Sequence, residues 1–136
     1  MENLSACFRT ITQAEYHKVY KKLEKYNLVN GQANLLVIIK ENDGLSQNEI
    51  ANILNVKPSS MSERINKLEN LGYIYRAVDE DNLRVKRIYI TADGKKAATQ
   101  CKKILNEFED TMYAGFTKKD IRAFEEYLER IMSNLE

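Results

Sequence analysis

Between Ser46 and Ile90 the hydrophobic period of the chain changes from 3.6 residues to 2, with no linker at the change. Ser46-Gln47-Asn48-Glu49 has the spacing of a capping box, in which a serine and a glutamate three residues on satisfy two orphan amides reciprocally. It opens a short helix carrying Ile50, Ala51, Ile53 and Leu54. Asn55-Val56-Lys57 makes a tight link, and Pro58 starts a second helix, where its missing amide hydrogen has no partner to lose. Met61, Ile65, Leu68 and Leu71 form that helix's inward stripe, and Gly72 stops it. Tyr73 to Val78 and Val85 to Ile90 then read as two strands around a turn at residues 79–84. Two helices across a tight turn, followed at once by a hairpin, make a winged helix-turn-helix.

The flanks are helical. Leu4, Phe8, Ile11, Val19 and Leu23 recur at helical steps and predict one amphipathic helix from about Leu4 to Tyr26. Asn30 can cap a second helix from Gln32 to about Glu41, apolar over much of its circumference and therefore central. Thr91 can cap a long helix with Ala98, Cys101, Leu105, Phe108 and Met112 on one side. Phe116 to Ile121 reads as a hydrophobic staple around a Thr117 cap, ahead of a last helix carrying Ile121, Phe124, Leu128, Ile131 and Leu135. The expected fold is mainly α with a small β-hairpin wing, in a single domain over residues 1–136. The winged core spans about 32–94. The helices of about 1–28 and 92–136 carry more apolar stripe than one small core can cover, so they are expected to pair with a second copy, giving a homodimer.

Composition excludes several classes. No apolar run approaches the length of a membrane span, and MENLSACFRT lacks the layout of an export signal, so a cytoplasmic protein is expected. Cys7 and Cys101 make no disulfide framework, and the lone His17 offers no zinc spacing, so no metal or cofactor is expected. No nucleophile–base motif and no phosphate-cradling glycine loop is present, and no catalytic residue is assigned. Net charge is only +1, but residues 57–96 carry nine Lys or Arg against six Asp or Glu, whereas residues 97–136 carry six against eight. The middle of the chain is its basic part.

The helix from Pro58 has a polar face opposite its stripe: Ser59, Ser60, Ser62, Glu63, Asn66 and Lys67, with Arg64 beside it. Small hydroxyls near a helix N-terminus allow close approach to phosphates and base edges of double-stranded DNA. Arg64 and Lys67 can neutralise phosphate or donate to guanine, and Asn66 can pair with adenine. Lys57 stands just before this helix. Arg84, Lys86 and Arg87 cluster at or after the hairpin tip, with Arg76 on the other strand; an arginine-bearing tip suits the negative potential of a minor groove. A solvated helix face and a charge-protected edge strand are the alternative readings of the same residues.

The stretches from Leu45 to Leu54, from Pro58 to Arg76 and from Arg84 to Gly94 resemble the MarR family of transcriptional regulators, over nearly the whole chain. In that family the wing tip reads Asp-x-Arg; here those places hold Asn82, Leu83 and Arg84, so the arginine matches and the acid does not, with Asp81 adjacent. The resemblance implies a repressor that binds a near-palindromic duplex as a homodimer. Ser46 would lie near the backbone, the Pro58–Lys67 face in the major groove and Arg84 in the minor groove. It also implies release by a small aromatic or anionic effector, with Tyr16, Tyr20 and Tyr26 as candidate lining, or equally as packing with wet hydroxyls. The alternative is a thiol-based redox regulator of the same fold using Cys7, whereas Cys101 falls on an apolar stripe and reads as packing.

Overall fold

The computed structural model describes residues 3–29 and 31–136; Asn30, the expected cap of the second helix, lies outside the described residues. Helix α1 covers residues 4–26, α2 is Gln32–Glu41, α3 Gln47–Leu54 and α4 Pro58–Asn70. Strands β1 (Ile74–Val78) and β2 (Lys86–Ile90) follow, then α5 (Ala92–Met112) and α6 (Lys118–Leu135). No helix among the described residues is long and apolar enough to cross a membrane.

The core gathers one face of each element. Leu35, Leu36 and Ile39 of α2 sit at its centre, enclosed by Ile50 of α3, Met61, Ile65 and Leu68 of α4, Ile74, Ile88 and Ile90 of the hairpin, and Ala97, Ala98 and Cys101 of α5. Each large aliphatic so buried contributes about 1.5–3 kcal/mol. The buried Gln32 is the polar exception: its Oε1 accepts the Val29 amide at 3.0 Å and closes the turn into α2. Gly94 in α5 is set by contact, since a Cβ there would overlap the Tyr73 carbonyl oxygen and stand 2.7 Å from Ile90 Cγ1.

Helix α1 departs from the single expected stripe. Residues Tyr16–Tyr20 form a π turn inside it. A π turn takes an extra residue and shifts the phase of everything after it. Val19 and Leu23 therefore enter the core, while Leu4, Phe8 and Ile11 remain exposed.

The helix termini follow the sequence with one correction. Thr91 Oγ1 accepts the Gly94 amide, and Thr117 forms a complete capping box with Asp120. At α3, Ser46 Oγ accepts the Glu49 amide at 3.1 Å, but the return bond from Glu49 is absent. The Glu49 carboxylate instead lies 3.8 Å from Arg87 Nη1. Helix α4 ends as expected, with Gly72 at φ +80° and the Tyr73 and Gly72 amides returning to Leu68 and Glu69, a Schellman motif.

Strands β1 and β2 pair antiparallel, with Ile74 opposite Ile90, Arg76 opposite Ile88 and Val78 opposite Lys86. The Gly44–Ser46 segment lies along the other side of β2: Gly44 donates to the Ile88 carbonyl and Ile88 donates to that of Leu45, each at 2.9 Å. The hairpin is thus tied to the entry of α3 and does not hang free.

Candidate nucleic-acid interface

The first turn of α3, the outer face of α4 and the hairpin meet around one open groove of about 410 Å³. Ser46, Ser62, Asn66, Arg76, Arg84 and Lys86 all line it. So do Gln47 and Asn48, which sequence reasoning used only as links in the capping box. Their signal was present in their place: the first turn of the leading helix, where side chains reach across to the second. Gln47 Nε2 donates to Ser62 Oγ at 2.6 Å and fixes the two helices against each other at the groove floor.

Strand period decides which wing cations face the groove. Side chains alternate across a strand, so Lys86 and Arg87 must point to opposite sides. Arg76 shares the inner side with Ile74, Ile88 and Ile90. Its Nη2 donates to Asn66 Oδ1 at 2.5 Å and its Nη1 lies 3.8 Å from Glu69 Oε1. Its Nε is buried with no partner among the described residues.

Arg87, expected beside Arg84 and Lys86, is elsewhere. Its Nε and Nη2 both meet Asp79 Oδ2 at 2.9 Å, and its Nη1 donates to the Gly44 carbonyl at 2.9 Å. It is a brace at the base of the wing, not a free cation in the groove. Asp79 is held below the ordinary aspartate range by the Asp81 amide it accepts and by Arg87.

At the tip, Asn82 Oδ1 accepts the Arg84 amide at 3.1 Å, and the Asn82 carbonyl accepts that of Val85. A neutral asparagine thus makes the local bonds that shape the turn. The adjacent Asp81 donates its amide to Asp79 Oδ1 at 2.9 Å. Arg84 and Lys86 are exposed, and Leu83 between Asn82 and Arg84 is 78% exposed.

The remaining α4 residues lie on the other flank. Ser60, Glu63, Arg64 and Lys67 line a separate groove of about 270 Å³ with Val29 and Gln32. Lys57 and Ser59 are exposed at the start of α4. No side chain caps that start, whereas Ser46, Thr91 and Thr117 cap α3, α5 and α6. The first amides of α4 are left for an outside acceptor, with the positive end of the helix dipole behind them.

The three tyrosines expected around one effector site do not converge. Tyr16 is half exposed and stands edge-on to His17. Tyr20 lines a cavity of about 140 Å³ with Glu15, Phe108, Glu109 and Met112; its hydrogen bond to Glu15, with burial, pushes its phenol up to about 12. Tyr26 borders a different cleft with Tyr73 and Lys96, and its carbonyl accepts the Tyr73 hydroxyl at 2.9 Å. The π turn between Tyr16 and Tyr20 and the six-residue step to Tyr26 spread the rings around α1. Of the two thiols, Cys7 is exposed, while Cys101 is buried and pushed up to about 11 by that burial.

Outside this groove, apolar surface collects at the two ends of the chain. Leu4, Phe8 and Ile11 on α1 and Phe124, Tyr127, Ile131, Met132 and Leu135 on α6 are exposed, and α6 buries no residue.

Comparison with known proteins agrees with this geometry. A MarR family model matches residues 28–86. The uncharacterised HTH-type transcriptional regulator YybA of Bacillus subtilis (strain 168) is 30% identical over 110 residues, covering 81% of this chain and 73% of its own. The crystal structure of the S. aureus MepR–DNA complex superposes with a TM-score of 0.81 at 29% identity, covering 98% of this chain and 97% of that one. The transcriptional regulator SlyA superposes with a TM-score of 0.79 at 27% identity, over 98% and 94% of the two chains.

Proposed function

The chain belongs to the MarR family of transcriptional regulators, and from that premise we propose that it binds a specific DNA duplex as a homodimer and represses by occupying it. The observation that carries the reading is the shared groove: the outer face of α4 and the inner face of the wing open on the same side. A duplex laid there would take α4 in its major groove and the wing tip, led by Arg84, in the adjacent minor groove. Lys57, Arg64, Lys67 and Lys86 neutralise phosphates on either flank. Ser46, Ser59, Ser60 and Ser62 let the backbone approach closely, and Glu63 sits at the rim of the second groove.

The exposed stripes of α1 and α6 supply the contact between copies. The Leu4–Glu15 part of α1 and the whole of α6 bury no residue in their own chain and leave apolar faces that a second copy covers. A two-fold axis through them spaces two α4 helices roughly 34–36 Å apart and demands a near-palindromic site. Effector control fits the cavity of Tyr20, because it lies between α1, α2 and α5, next to the α1 stripe. A molecule bound there would favour one spacing of the two α4 helices over another.

Fluorescence anisotropy with a labelled duplex recovered from a random pool tests the reading. A dimer making about 6–10 phosphate contacts loses about 10³–10⁵ in affinity between 50 and 200 mM salt. Arg84→Ala weakens binding and leaves the fold intact. A flat salt profile, or full affinity in the Arg84 variant, contradicts it.

A further inference from the structure

We infer that Asn66 reads DNA as a hydrogen-bond donor, and that the chain therefore selects guanine or thymine, not adenine, at the base facing this residue. The inference rests on the DNA-binding reading above and deepens it. Arginine carries donors only, so its contact with Asn66 fixes which end of the amide faces it: the oxygen must. Arg76 Nη2 donates to Asn66 Oδ1 at 2.5 Å. Arg76 is itself held from behind by Glu69 at 3.8 Å and by the strand pairing that sets it opposite Ile88. The amide is thereby oriented before any duplex arrives.

The consequence is chemical. Asparagine reads adenine bidentately, accepting from N6 at Oδ1 and donating to N7 from Nδ2. Here a cation already takes one of the two lone pairs of that oxygen, which makes the oxygen a weaker acceptor for the N6 hydrogens and the amide hydrogens stronger donors. Asn66 is exposed along the groove, and its Nδ2 hydrogens make no bond among the described residues. Guanine presents two major-groove acceptors, N7 and O6, and thymine presents O4. Adenine offers N7 but places its N6 donor beside the amide hydrogens, and cytosine offers only a donor. Ser62, one turn before Asn66, accepts from Gln47 Nε2 at 2.6 Å, which likewise leaves its hydroxyl hydrogen to point outward. The wall of the groove is thus weighted toward donors.

Sites selected from a random duplex library by the wild-type protein, by Asn66→Ala and by Asn66→Asp test this. The wild type should enrich guanine or thymine at one position in each half-site. Asn66→Ala should flatten that position alone, by about tenfold in discrimination. Asn66→Asp keeps the partner of Arg76 but has no donor, and should move the position toward cytosine or adenine. Adenine at that position in the wild-type site, or an unchanged preference in Asn66→Ala, overturns the inference while leaving DNA binding in place. Failure of the wild type to enrich any duplex overturns the DNA-binding reading and this inference with it. Both substitutions fall on an exposed residue, and circular dichroism confirms the fold of each variant.

Discussion

Arg87 on β2 grips Asp79 at the far end of β1: two guanidinium nitrogens stand 2.9 Å from a single carboxylate oxygen. A third reaches the Gly44 carbonyl at 2.9 Å, so one side chain joins the base of the wing to the entry of α3. Arg87→Ala should loosen the hairpin without unfolding the core. Hydrogen exchange at the Asp79 amide, bonded across the turn to the Val85 carbonyl, and at the Val85 amide, bonded to the Asn82 carbonyl, should quicken, and DNA affinity should fall by roughly tenfold. Arg87→Lys keeps the charge but not the planar fork and should not restore either property.

The same pair sets a response to acid. The native pKa of Asp79 is lowered, first by the Asp81 amide and then by Arg87. A group lowered in the folded state stabilises it above its unfolded pKa, near 3.9, and that contribution is lost as pH falls through the lowered native value. Wing amide exchange should therefore accelerate in strong acid, and Asp79→Asn should remove that pH dependence while leaving exchange fast throughout.

Gly94 permits α5 to start directly against the hairpin. Gly94→Ala drives a methyl into the Tyr73 carbonyl and Ile90, and should destabilise by about 1–3 kcal/mol, read from urea unfolding. Ala92→Gly, on the exposed side of the same first turn, should cost about 1 kcal/mol or less.

Native protein should release one equivalent of thiolate to a disulfide reagent at pH 8, from Cys7, and a second only in denaturant. Cys101 is fully buried and its thiol is pushed up to about 11. Two fast equivalents in native protein would mean that α5 is not packed as described.

Much of this was legible from residue types. Pro58, Gly72, Thr91 and Thr117 act at chain positions where their backbone or hydroxyl chemistry is local, and each marks the boundary it was expected to mark. The failures are of a different kind. Glu49 was expected to close a local box, but a long-range arginine outcompetes the return bond. Arg87 looked interchangeable with Lys86 until the two-residue period separated them. The tyrosines of α1 seemed clustered in sequence, and an inserted π turn, which leaves no residue signature, dispersed them. Gln47 was visible only as a link, because its partner Ser62 lies fifteen residues away. Local chemistry was readable, whereas competition between distant partners was not.

Sedimentation equilibrium should show a dimer at micromolar concentration. Introducing charge into the exposed stripe, with Phe8→Asp on α1 together with Ile131→Lys on α6, should shift it to monomer while the winged core stays folded. A tight wild-type monomer would leave both stripes without a partner.

Hydrogen exchange by mass spectrometry, with and without a selected duplex, bears on the shared groove most directly. Amides in the first turns of α4 and across residues 79–86 should slow together on adding DNA, with the same concentration dependence and the same loss at high salt. Slowing confined to α4 with the hairpin unaffected, or slowing on α1 and α6 alone, would contradict a helix and wing that hold one duplex between them.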